Sequence, residues 1–128
     1  MSATDDCPCG GEERFCRCCR PLHAGERQAS TAEELMRSRY CAYAVGDLDY
    51  LWRTWHPRTR PEALTPSDEV WTGLEILDVV AGQQGDDEGE VEFLAHYLLN
   101  RRSGTLRERS HFAARARRWF YVDGEVFG

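Results

Sequence analysis

The sequence predicts an α+β fold: helices packed in a curved antiparallel sheet of four long strands, with a small zinc knuckle ahead of them. Two observations predict the main body. A capped, amphipathic segment spans residues 31–45, and the hydrophobic period drops from that of a helix to two at Val70. The third observation is a set of cysteines crowded into the first 19 residues.

Composition limits what else the chain can be. Its 128 residues suit one domain with an appendage, and 41% hydrophobic content with four Trp can supply a core. No apolar run approaches the roughly 20 residues of a membrane span. The start, MSATDDCPCG, has neither a basic region nor an apolar one, so no signal peptide is expected and the protein reads as cytoplasmic. In that compartment clustered cysteines hold metal more often than they form disulfides. Net charge is −6, which argues against general nucleic-acid binding. The charge is unevenly placed: residues 62–92 carry ten acids and no Arg, whereas 101–118 carry seven Arg and one acid, Glu108. Consecutive strands usually neighbour each other, so these two stretches are expected to neutralise one another across the sheet. Every Lys-or-Arg position is Arg, which excludes lysine Schiff-base chemistry.

The first element is DDCPCGGEERFCRCC. Cys7 and Cys9 flank a proline, and eight residues later Cys18 and Cys19 follow. Four thiolates satisfy a tetrahedral Zn²⁺, and Gly10–Gly11 allow the turn that brings the two pairs together. A loop this short has no core, so the metal, one structural zinc per chain, would largely fold it. Cys16 and His23 are spare candidates. Residues 20–30 read as a polar connection broken by Pro21 and Gly25.

The helix over Thr31–Val45 opens with a capping box, Thr31 and Glu34. Leu35, Met36, Tyr40 and Tyr43 share one side, and Arg39 lies in the middle of that stripe. A guanidinium there must meet a carboxylate or line a polar cavity. Cys41, off the stripe, reads as a packing residue rather than a nucleophile. Gly46 ends the helix; a second begins near Asp47, carries Leu48, Leu51, Trp52 and Trp55, and stops at Pro57. His56, at its end, fits either a pocket acid/base or a partner for a free helix carbonyl. Residues 58–68 read as loop, with one helical turn at 62–64.

Strands are expected over 71–83, 90–100, 105–115 and 119–123, with turns at 85–89 and 101–104. Alternation groups Val91, Phe93, Ala95 and Tyr97 on one face, and Leu106, Glu108, Ser110 and Phe112 likewise. On the last strand Trp119, Tyr121 and Asp123 fall together. Arg39 then faces two fates. It pairs with Glu108, or in reserve Asp123, in a buried ion pair; or it floors a pocket ringed by Tyr40, Trp52, Trp55 and Tyr121.

CPC, eight residues beginning with Gly10, and CC resemble the SEC-C zinc motif, also found at the tail of the SecA translocation ATPase. The continuation, ELMRSRYCAY, DLDYLWRTWHP, ERSHF and WFYVDG, resembles the bacterial YchJ family over nearly the whole chain. That resemblance implies zinc ligands at Cys7, Cys9, Cys18 and Cys19, with Cys16 outside the set. It also implies a knuckle with its connection over 1–24, joined to a cone like nuclear transport factor 2 over 25–128. Longer relatives add a second SEC-C motif, whereas this sequence ends at Gly128.

Three functional readings follow. One is a zinc-binding adaptor or binding module, with a protein partner such as a chaperone or nascent chain, or a small-molecule ligand. Another is a small enzyme in which Glu108 or Asp123 with His56 does acid/base work on an anionic substrate anchored by Arg39. The third is a redox protein using Cys16. No nucleophile motif, phosphate loop or open metal site marks a reaction, and the sequence carries no signal for an oligomeric state.

Overall fold

The computed structural model describes residues 19–65 and 68–127. The zinc candidates Cys7, Cys9 and Cys18, and with them Cys16, lie outside the described residues. The elements in order are α1 (Arg20–His23), α2 (Ala32–Val45), α3 (Leu48–Arg53), β1 (Val70–Ala81), β2 (Glu88–Leu99), β3 (Arg102–Arg115) and β4 (Arg118–Phe127). The strands form one antiparallel sheet in sequence order, and α2 lies against β1, β2 and β4.

α1 was not expected. It is a single turn with Pro21 in its first positions, where proline's fixed φ suits a helix and its missing N–H costs nothing. Cys19 and Leu22 are buried in the same apolar cluster as Leu35 and Leu51, so the core runs across the expected division at residue 24. His23 is tied in as well. Its Nε2 bonds the Ser38 carbonyl at 2.8 Å and its ring packs on Tyr50. Burial holds the His23 pKa below its ordinary value, which suits a neutral ring donating that bond.

α2 begins as the capping box requires, with the Thr31 hydroxyl accepting from the Glu34 amide at 3.1 Å. Glu34 reaches back one residue further than expected, to the Ser30 amide. Gly46 closes the helix in the left-handed conformation, φ 81°. At its other end α2 docks on the β1–β2 hairpin, where the Ala32 amide donates to Gly82 O at 2.9 Å. A Cβ on Gly82 would sit 2.7 Å from that of Ala32, so only glycine permits this approach.

α3 stops at Arg53, earlier than Pro57 suggested, because residues 54–56 leave the helix to pair with β4. The His56 amide donates to Tyr121 O and the Tyr121 amide to Thr54 O. No helical turn forms at 62–64. β4 runs past its expected end to Phe127, and both later hairpins turn on two residues, Asn100–Arg101 and Ala116–Arg117, all at positive φ. The expected turn at 101–104 is thus shorter, and Gly104 belongs to β3.

Three irregularities steer side chains between faces. β1 carries register shifts between Trp71 and Gly73 and between Ile76 and Asp78; the β3–β4 ladder shifts between His111 and Phe112. The last one inserts Val122, so Tyr121 stands opposite Phe112 while Asp123 stands opposite His111. Asp123 therefore lies on the outer face, not beside Tyr121, and its carboxylate bonds His111 Nδ1 at 2.6 Å. The cause is the extra residue: each one reverses the alternation beyond it.

On that outer face the acidic and basic stretches meet as expected. Arg107 bonds Glu92 through Nε and Nη2, and Arg109 bridges Glu92, Asp78 and Glu90. His111 also approaches Glu90 at 3.3 Å, and His96 bonds Glu75 at 2.6 Å. The arginine hydrogen bonds, those of Arg107 first, hold the Glu92 pKa below its ordinary value.

Candidate functional site

The inner face encloses a cavity of about 310 Å³ between α2 and the sheet. α2 contributes Met36, Arg39, Tyr40 and Tyr43, one face at helical spacing. Trp71 comes from β1, and Phe93 and Ala95 from β2. β3 adds Leu106, Glu108, Ser110 and Phe112, and β4 adds Tyr121. Glu69, just before β1, completes the lining.

Arg39 is 5% exposed and is not ion-paired among the described residues, which corrects the expected bridge to Glu108 or Asp123. Its Nη1 instead donates to Leu51 O at 2.8 Å and to Thr54 Oγ1 at 2.7 Å. The guanidinium carbon lies 4.7 Å from the Tyr121 ring centroid and 5.4 Å from that of Trp55. A carbonyl, a hydroxyl and two aromatic rings thus take the place of a carboxylate. Desolvation lowers the Arg39 pKa, but a guanidinium stays protonated in a protein. Its Nε and Nη2 hydrogens have no acceptor among the described residues.

Glu108 keeps its own company. Its Oε2 accepts from the Ser110 hydroxyl at 2.6 Å and from the Tyr121 hydroxyl at 3.4 Å, leaving Oε1 without a donor among the described residues. Gly124 makes this possible, because a Cβ there would collide with the Glu108 carboxylate. Burial raises the Tyr121 pKa and the neighbouring Glu108 adds to the rise, so the phenol stays a donor.

Two further groups were not singled out in the sequence. Glu69 Oε2 and Trp71 Nε1 are buried and have no hydrogen-bond partner among the described residues. Glu69 falls between the expected loop over 58–68 and the expected strand, and Trp71 opens that strand; neither carries a local signal for a cavity.

Of the expected pocket residues, Arg39, Tyr40, Glu108 and Tyr121 line the cavity. Trp52, Trp55, His56 and Asp123 do not. Trp52 donates to Pro61 O and lies under Arg60, 3.6 Å from its guanidinium carbon to the ring centroid. Trp55 stands behind Arg39, edge-on to Tyr121, its own Nε1 buried without a partner. His56 Nδ1 accepts from the Arg58 amide and its ring meets Phe120. The acid/base set of His56 with Asp123 or Glu108 is therefore scattered over separate surfaces. Among the described residues no three metal-ligating side chains converge, and no helix is long and apolar enough to cross a membrane.

The family model described as YchJ, middle NTF2-like domain, matches residues 31–124. A UPF0225 protein of Streptomyces coelicolor is 50% identical over 95% of this chain and 96% of its own length. A UPF0225 protein of Deinococcus radiodurans is 47% identical over 91% and 86%. Among solved structures, a SEC-C motif containing protein from Rhodopseudomonas palustris superposes with a TM-score of 0.84 at 32% identity, covering 95% of this chain and 98% of the other. One from Psychrobacter arcticus gives 0.80 at 24% identity, over 98% and 85%, and speaks for the fold.

Proposed function

The chain belongs to the family of the YchJ middle NTF2-like domain, and on that premise we propose that it is a cytoplasmic binding module whose cone receives a small organic molecule. The observation that carries this reading is the cavity with its unsatisfied polar atoms. A fold normally pairs its buried polar groups. Here the buried Glu69 Oε2 and Trp71 Nε1 have no partner among the described residues, and they share one apolar-walled space with Arg39 and Glu108, each of which uses only part of its hydrogen-bonding capacity. Its size is near the lower end for ligand sites, about 300 Å³ and upward. Taking about 30 Å³ for each water-sized group, it holds roughly ten non-hydrogen atoms. The rings of Trp71, Phe93, Phe112 and Tyr121 supply apolar contact, and the few polar groups orient the guest.

The test is protein-observed NMR of the full chain with a panel of ring-bearing fragments of both charges and none. Binding should move the Trp71 indole N–H, and Ala95→Leu, which fills the cavity from β2, should abolish the shift. A panel that leaves the cavity resonances unmoved would refute the reading.

The N-terminal cysteines complete the proposal. Cys7, Cys9, Cys18 and Cys19 hold one structural Zn²⁺, supported by their spacing and by the SEC-C description of the 32%-identical relative. The buried position of Cys19 beside α1 would tie that knuckle to the core and leave its outer surface for a protein partner. Freshly reduced protein should carry one zinc per chain; Cys18→Ser should lose it and Cys16→Ser should not. Metal-free reduced protein would refute this part.

A further inference from the structure

Arg39 by itself suggests an anionic guest, but the lining as a whole does not. The cavity holds one cation, Arg39, and two carboxylates, Glu69 and Glu108. Arg39 is already compensated by the Leu51 carbonyl, the Thr54 hydroxyl and the Tyr121 and Trp55 faces. The carboxylates are less well met. Glu108 receives two hydroxyl donors, both on Oε2, and Glu69 Oε2 is buried with none. Among the described residues the lining thus carries a net formal charge of −1 and two acceptor atoms that lack donors.

The walls add a second, independent preference. Trp71 meets both Tyr40 and Tyr43 of α2, each ring centroid 6.2 Å from its own, and is backed outside the lining by Tyr97 at 5.4 Å. The electron-rich faces of Trp and Tyr attract organic cations, and more strongly where water is displaced. Carboxylates beside such rings favour a positively charged nitrogen on an apolar body.

Resting on the binding reading above, we propose that the guest is an organic amine of about ten non-hydrogen atoms, its ammonium facing the Glu69 and Glu108 carboxylates and its apolar body against the aromatic wall. Any acceptor group it carries would meet the free edge of Arg39 or Trp71 Nε1.

Phenethylamine and 3-phenylpropionate, alike in ring and length but opposite in charge, are the probes. Both are titrated into the full chain at pH 7, following the Trp71 indole N–H by NMR. The amine should bind about tenfold tighter or better, the scale of one contact worth ~1.4 kcal/mol. Glu69→Gln should erase most of that preference by weakening the amine while leaving the acid unchanged or improved. Glu69 lies outside the helices and strands at a half-buried position, so this variant should fold. Equal or tighter binding of the acid would overturn the amine assignment and leave the binding reading standing. Binding of neither probe would also overturn it, and the fragment panel with Ala95→Leu then judges the binding reading separately.

Discussion

The two faces of the sheet come from the same strands and handle charge in opposite ways. On the outer face, acids from β1 and β2 meet arginines from β3 in a network whose rim, Arg107, Asp78 and Glu90, is open to water and whose centre, Glu92, is nearly covered. On the inner face, Arg39 and Glu108 share a cavity and do not pair. Each is satisfied by neutral groups: a carbonyl and hydroxyl for one, two hydroxyls for the other. Surface pairs form readily because water screens any mismatch and the desolvation cost is small. Inside, a direct pair must repay the desolvation of both ions, and the fold leaves each with an unused polar edge. That unused capacity is what makes the inner face the candidate site, whereas the outer network uses its charges on one another.

The largest test of this contrast replaces apolar side chains on either face. Phe112→Ala, at a residue 2% exposed on the inner face, should cost about 3–4 kcal/mol in a urea melt. Val80→Ala, 45% exposed on the outer side of β1, should stay within ~0.5 kcal/mol. Comparable losses would mean that the outer face is also packed.

A smaller effect isolates Arg39. Arg39→Met takes the 2.8 Å donor from the buried Leu51 carbonyl and leaves it only the Thr54 hydroxyl at 3.5 Å, for about 1–3 kcal/mol. With no direct ion pair to break, adding Glu108→Gln should couple only weakly, below ~1 kcal/mol, through Tyr121, whose ring meets Arg39 and whose hydroxyl bonds Glu108. Adding Thr54→Val should couple visibly, because Thr54 shares the same guanidinium nitrogen. Strong coupling to Glu108 would restore the direct pair.

The smallest effects belong to the outer network. Arg109→Met should lower stability less than either change above, and 1 M NaCl should shrink the loss further, since the screening length falls to about 3 Å. Glu92 is 7% exposed and its pKa is lowered in the folded chain. Its stabilisation is therefore complete above the ordinary carboxylate value and is lost as pH falls through the lowered one. Glu92→Gln should flatten that acid limb of the stability curve; an unchanged limb would show that other carboxylates set it.

Local chemistry determined much of the architecture. Thr31, Glu34 and Gly46 bound α2 by capping, which acts within one turn. The alternation of β2 and β3 placed Phe93, Ala95, Glu108 and Phe112 on one face because the strand period admits no other arrangement. The charge split between β1–β2 and β3 foretold the outer network, since consecutive antiparallel strands pair in order. Other features were decided only by the assembled chain. Asp123 changed faces because the Val122 bulge depends on how β4 meets β3 and residues 54–56, which no spacing within 118–127 records. Residues 54–56 left their helix because Tyr121 offered the Thr54 carbonyl and the His56 amide partners of equal worth. Arg39 had to be met inside, and the sequence shows as much; but Leu51 O, Thr54, Tyr121 and Trp55 reach it from three separate elements. Glu69 gives the cavity its charge balance from a stretch with no periodicity, because a buried loop position is defined by what folds over it.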